Sequence, residues 1–330
     1  MSVEKYLTLS DGRTLAYEDV GDSSSNLVVI FFHGVFGYGS APGPGLLSPV
    51  HVAKNVHNIA PTLPGWGCSS PRNPSKTFRE TLISDTTELI THLHPNTADL
   101  RIYISGGSYG TIAAQMIYGA PFDEFPLGRK IKGCLLLAPL SYFKCHKGYS
   151  KSMTWIDYIS VGPMARYLPF QPIQRLGAFG IYMMVTTEDK AEALMRKQLF
   201  DSAPPEEREA FKRWREQRGL KEGELERTMA KNMFKSTSKT WAGFIEVPDV
   251  AHSDWGFQPN QLDDEHTKNR PMLIAASAHD DLGPDMANWL HENYRNSTLK
   301  WVPGKHLSTL YELDGLWAEL LKDEPAGVPS

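Results

Sequence analysis

Two hydrophobic rhythms organise the chain. Tyr6 to Val20 alternates apolar and polar residues around Asp11-Gly12, which predicts an antiparallel hairpin whose glycine supplies the positive φ of a tight turn. Leu27 to Phe32 (LVVIFF) is instead a continuous apolar run, bounded by a polar break and by His33-Gly34. Such a run predicts a strand buried on both faces. Val56 to Ala60, Leu100 to Ser105 and Ile131 to Leu137 predict further strands, with helices over Thr77 to His94 and Tyr109 to Tyr118 between them. After Arg270-Pro271 the run MLIAASA predicts another buried strand. A helix from Pro284 to Tyr294, a strand over Leu299 to Val302 and a helix from Leu310 to Leu321 follow, and Glu324 to Ser330 reads as a frayed tail. Strands alternating with helices predict an α/β fold with a mostly parallel sheet.

Residues 141–265 break this rhythm. Aromatic, methionine and proline residues come first, then strongly charged segments, and no buried-strand run occurs. Ala191, Leu194, Met195 and Leu199, and later Leu225, Met229 and Met233, fall at helical spacing and predict two amphipathic helices. The many charges from Pro204 to Lys235 are expected to pair along the helix with partners three or four residues away. The expected organisation is a core of residues 1–140 and 266–330 with a helical insertion over 141–265.

Composition narrows the function classes. The 330 residues are 41% hydrophobic and 22% charged, with 34 basic against 38 acidic side chains and a formal net charge of -4. No sequence-wide basic field exists to hold a nucleic acid. The longest apolar run is far short of the about 20 residues of a membrane span. Cys68, Cys134 and Cys145 show no CxxC spacing, and the opening residues lack the basic and apolar regions of a secretory leader, so a cytoplasmic location is expected. No HExxH, CxxC, GxGxxG or phosphate loop is present, so neither a metal nor a cofactor is expected.

The chemistry lies in RIYISGGSYGTIAAQ, where Gly106-Gly107-Ser108-Tyr109-Gly110 fits GxSxG between a predicted buried strand and a predicted helix. A nucleophile at such a sharp turn sits in strained backbone, and small residues two before and two after let the turn close. The turn also aims the helix N-terminus at the serine, so the Tyr109 backbone N–H can face a developing oxyanion.

Here the chain resembles the α/β-hydrolase superfamily, over essentially everything outside the insertion. His33-Gly34-Val35-Phe36-Gly37 is similar to the HGxxG oxyanion loop, in which Val35 or Phe36 supplies the second donor, and Pro64-Gly65-Trp66-Gly67-Cys68-Ser69 is similar to the PGxGxS loop. GGSYG is closest to proline-iminopeptidase-like relatives, but those carry HGGPG where this chain has HGVFG. The resemblance implies a triad in the order Ser, acid, His. His306, after the last predicted strand, stands where the catalytic histidine falls. His33 competes but precedes the nucleophile, and orders the loop in most relatives. Asp280, four residues before Pro284, matches the acid; Asp281 and, more distantly, Asp254 are the alternatives. A serine in this position excludes the aspartyl-ester chemistry of epoxide hydrolases and dehalogenases.

The superfamily places its cap where the insertion falls. The aromatic residues there, Phe170 among them, are mostly expected to pack the cap's own core, with a few facing substrate. His33, Trp66, Tyr142, Trp155 and Trp255 are the candidate substrate-binding residues. These features imply a cofactor-independent serine hydrolase, monomeric or homodimeric, acting on a small to medium hydrophobic ester, lactone or thioester. The alternatives are a lyase, cyclase or acyltransferase with the same triad, a peptidase, and a ligand receptor on the same fold.

Overall fold

A computed structural model describes residues 3–43, 46–167, 171–201, 203–282 and 284–327, apart from the side chains of 198 and 199. The expectations attached to Phe170, to the Leu199 side chain and to residues 328–330 therefore lie outside the described residues.

The alternating N-terminal segment forms strands β1 (Lys5–Thr8) and β2 (Thr14–Val20), antiparallel and joined by a turn in which Gly12 has φ 82°. The apolar runs form β3 (Leu27–Phe32), β4 (His57–Pro61), β5 (Arg101–Gly107), β6 (Ile131–Leu137), β7 (Met272–Ser277) and β8 (Ser297–Val302). They make one eight-stranded sheet in the order β1-β2-β4-β3-β5-β6-β7-β8. β2 runs antiparallel to β4, and from there to β8 the pairing is parallel.

The unbroken apolar character of β3 has a direct cause. Val28, Ile30 and Phe32 enter one buried cluster, whereas Leu27 and Val29 enter another on the opposite face. Side chains alternate across a strand, so a strand covered on both faces needs apolar residues at every position. The first cluster includes buried residues of helices α2 (Phe78–Leu93) and α3 (Gly110–Tyr118); the second includes helix α13 (Leu313–Leu320). Thr77 and Glu80 close a capping box at the start of α2, which fixes where that helix begins. Before α2, a short helix α1 (Pro49–Ala53) precedes β4.

Among the described residues the stretch between β6 and β7 contains helices and no strand. These are α4 (Trp155–Ser160), α5 (Pro163–Tyr167), α6 (Pro172–Met184), α7 (Glu188–Met195), α8 (Pro205–Gln217), α9 (Glu224–Ser236), α10 (Ala242–Ala251) and α11 (Asp264–Thr267). The two expected amphipathic helices correspond to α7, continued by a π turn, and to α9. Their charges pair differently from expectation. Arg227 reaches back to Glu192, Arg196 bridges Glu192 and Glu226, and Arg218 crosses to Asp314 of α13. The Arg196–Glu192 pair is a local one, four residues apart, whereas Glu226 and Arg218 lie on buried faces and take distant partners.

Helix α12 (Pro284–Asn293) connects β7 to β8 and packs against both, and α13 closes the chain. The tail is less free than its composition suggests up to residue 327. Glu324 accepts from the Tyr103 hydroxyl at 2.8 Å and pairs with Arg101, and the Gly327 N–H donates to Ala53 O. No helix among the described residues is long and apolar enough to cross a membrane.

Candidate active site

The register of the parallel strands brings the chemically interesting loops to one edge. Phe32 of β3 lies opposite Gly106 of β5, Gly107 opposite Leu137 of β6, Leu137 opposite Ala275 of β7, and Ser277 opposite Val302 of β8. The loops after β3, β5, β7 and β8 therefore leave the sheet side by side, at the carboxyl ends where open α/β sheets build their sites.

Ser108 stands between β5 and α3 with φ 52°, a left-handed conformation that costs an L-residue free energy. The neighbouring glycines make this turn possible. A Cβ on Gly106 would run into the carbonyl of Gly110, and one on Gly110 into that of Phe32. Helix α3, buried along all nine residues, holds the turn from below, and Thr111 Oγ1 donates to Ser108 O at 2.6 Å.

The loop after β3 packs against this turn. The Gly37 N–H donates to Gly34 O, closing a tight turn in which Phe36 has φ 61°, and a Cβ on Gly34 would lie 3.3 Å from that of Ser108. The Ser108 N–H is spent on Leu137 O. Among the described residues no hydrogen bond takes up the backbone N–H of Val35, Phe36 or Tyr109.

His306 opens the 3-10 turn after β8, and its Nδ1 donates to Asp280 at 2.8 Å to Oδ2 and 3.0 Å to Oδ1. Asp280 Oδ1 also accepts from the Leu282 N–H, so the carboxylate is fixed from two sides. Asp281 contributes charge but no hydrogen bond to the ring, and Asp254 is engaged with Lys144 and Tyr142 elsewhere. Burial pushes the His306 pKa down, but the Asp280 hydrogen bond and charge, with Asp281 and Asp157 behind them, outweigh it and leave the group above its usual value. Among the described residues the hydrogen bonds join Asp280 to His306, and none joins His306 to Ser108.

The structure places the substrate-binding candidates in different surroundings. His33 is buried with both ring nitrogens engaged. The Leu63 N–H donates to Nε2 at 3.0 Å, so Nδ1 carries the proton given to Gly34 O at 2.8 Å. Burial lowers its pKa to about 4, so the ring is neutral and braces the loop. Trp66 is 1% exposed, sealed beneath Gly243 of α10 and edge-on to His33. Tyr142 and Trp255 stack in parallel at 4.1 Å with the indole fully buried, and the Tyr142 hydroxyl is shared between Asp254 and the Trp255 N–H. Trp155 is the reverse case, 74% exposed and stacked on Tyr158. Large aromatic surfaces gain most by packing on one another, and mere presence in the insertion does not aim them at a site.

Contacts from two parts of the insertion had no sequence signal. Phe244 of α10 stacks on Phe36 at 5.2 Å with Trp241 edge-on beside it, and the Gly243 N–H donates to Gly65 O. Glu207 of α8, buried, accepts the Lys305 N–H immediately before His306. Among the described residues no group of three or more His, Cys, Asp and Glu side chains is arranged to hold a metal ion.

Comparison with known proteins agrees with the fold. Among solved structures, a hydrolase from Pseudomonas aeruginosa PA01 is 16% identical with a TM-score of 0.61, over 96% of this chain and 98% of that chain. An epoxide hydrolase from Vigna radiata (13% identity, TM-score 0.60, 97% of each chain) and an esterase from Exiguobacterium antarcticum (16%, 0.52, 97% of this chain and 98% of that chain) are similar in the same way. Such identities speak for the fold alone. No curated protein matches the chain. The family profile described as "Alpha/beta hydrolase family" matches residues 29–314. With its sheet order, the serine turn and this match over most of its length, the chain belongs to the alpha/beta hydrolase family.

Proposed function

We propose that the protein is a cofactor-independent serine hydrolase that cleaves a carboxylic ester of a hydrophobic substrate through an acyl-enzyme on Ser108. The observation that carries the reading is the strained Ser108 turn on the same sheet edge as the Asp280–His306 pair. Ser108 Oγ attacks the carbonyl while His306 Nε2 takes its proton; Asp280 holds Nδ1 and stabilises the imidazolium. The oxyanion is received by the unspent N–H of Tyr109 and by that of Val35 or Phe36. The proton then passes from His306 to the leaving alkoxide, and water repeats the sequence to release the acid. A serine–histidine hydrogen bond of this kind commonly tightens only in the substrate complex.

Residues 141–265 act as a cap on a core of residues 1–140 and 266–330. Phe244 over the oxyanion loop and Glu207 on the His306 loop support this division. The apolar surroundings of Phe36 favour a hydrophobic acyl or alcohol group.

The test is intact-protein mass after exposure to a fluorophosphonate, with nitrophenyl ester turnover alongside. A single adduct on Ser108, lost in Ser108→Ala and strongly slowed in His306→Ala, is the expected result. A folded wild type that takes no adduct and turns over no ester overturns the reading.

A further inference from the structure

Helix α6 is built inside out. Leu176, Phe179 and Met183, at i, i+3 and i+7, face solvent, while the buried positions hold Ala178 and the polar Gln174, whose amide donates to Ser160 O. Nine of the thirteen large apolar side chains exposed among the described residues fall between Trp155 and Met184. An apolar stripe of this size facing water marks a surface that is covered in use.

We infer that this face, α4 to α6, is a docking surface for an anionic lipid bilayer. Two features favour lipid. Trp155 of α4, Tyr167 of α5 and Tyr182 of α6 expose amphipathic rings to solvent, the residue type that sits at headgroup level. Residues 147–184 also carry Lys147, Lys151, Arg166 and Arg175 against the single acid Asp157, in a chain whose net charge is -4. Asp157 is taken up by Thr154 at the start of α4. A basic, aromatic, apolar face is complementary to anionic headgroups over acyl chains. A second copy docked through the same patch would set basic side chains against basic side chains, since a twofold interface meets itself. The attachment is peripheral: α6 lies in the interface.

The face lies outside the residues assigned to catalysis, so it is tested separately from Ser108 chemistry. Full-length protein is floated with vesicles of phosphatidylcholine alone and of phosphatidylcholine with one third phosphatidylglycerol, at low and high salt. Wild type is compared with Leu176→Gln/Phe179→Gln and with Lys151→Glu/Arg166→Glu. Binding to the anionic vesicles is expected to exceed that to neutral ones and to fall with salt. Each removed basic charge should weaken it about fivefold, and the apolar double variant about tenfold or more. Melting temperature and turnover of a soluble ester should be unchanged in both variants. Equal binding of wild type and the apolar variant, or no binding at all, overturns the proposal. So does a solution dimer that the apolar variant dissociates, since the covering partner is then a second copy.

Discussion

Ser108, Gly107 and Gly110 show how finely the turn discriminates between neighbouring positions. A Cβ on Gly107 would make only ordinary contact with Phe31, whereas on Gly110 it would strike the Phe32 carbonyl, which the sheet holds in place. Gly107→Ala is expected to fold with a cost within about 1 kcal/mol, and Gly110→Ala to lose about 3 kcal/mol or more, measured by urea unfolding. Equal costs would sink the steric account. His306 supplies a pH prediction. Its pKa lies above the usual 6.5 because Asp280 outweighs burial, and in the proposed mechanism the ring must be neutral to take a proton. The acid limb of kcat/KM should therefore have its midpoint above pH 6.5. In Asp280→Asn the raising hydrogen bond is weakened and burial remains, so the midpoint should move down while the plateau drops roughly a thousandfold or more. A midpoint that stays in place would show that Asp280 does not set the histidine's charge. GGSYG and VPGKHLS were legible because a strained elbow and a post-strand histidine leave short local signatures. Resemblance alone favours Asp280 over Asp281, and only the folded loop supplies the hydrogen bonds that distinguish them.

Helices and strands were legible where their cause is local. The alternation of β1 and β2, the double-faced apolar run of β3 and the Thr77–Glu80 capping box all depend on residues close in sequence. Thr77→Ala should lower stability by about 1 kcal/mol with no effect on turnover, because the box satisfies first-turn N–H groups that have no partner within the helix. Helix α10 is the opposite case, since its contact with Phe36 joins residues more than 200 positions apart. Phe36 has a left-handed backbone, and Phe244 and Trp241 pack against its ring. Removing that packing in Phe244→Ala is expected to reduce kcat about tenfold or more, with a smaller change in KM and recovery in Phe244→Tyr. A change confined to KM would reassign Phe244 to substrate binding.

At the scale of the molecule, burial of neutral histidines makes the fold sensitive to acid. His33 and His51 are both lowered to about 4, in each case chiefly by desolvation. Their unfolded pKa is near 6.5, so below that value the unfolded chain binds protons that the folded chain refuses. The stability they contribute is complete above about pH 6.5 and is lost as pH falls towards 4, at about 2 kcal/mol for each by pH 5. Tm should fall by several degrees between pH 7 and pH 5. His51→Leu, whose side chain stays apolar against Trp317, should flatten part of that fall. A Tm independent of pH over this range would contradict the burial of these rings as neutral groups.

The sequence by itself determined the α/β class, the order of the sheet's strands, the helical character of the insertion read over residues 141–265 and the serine turn, because hydrophobic period, capping and glycine placement act over a few residues. The tertiary structure decided which side chains meet. It paired Asp280 with His306, withdrew His33, Trp66, Tyr142 and Trp255 into the interior, and turned Trp155 and the apolar stripe of α6 outward. Those outcomes depend on register, on which faces the sheet and insertion cover, and on competition among distant partners for the same buried space. None of these is encoded in the spacing of neighbouring residues.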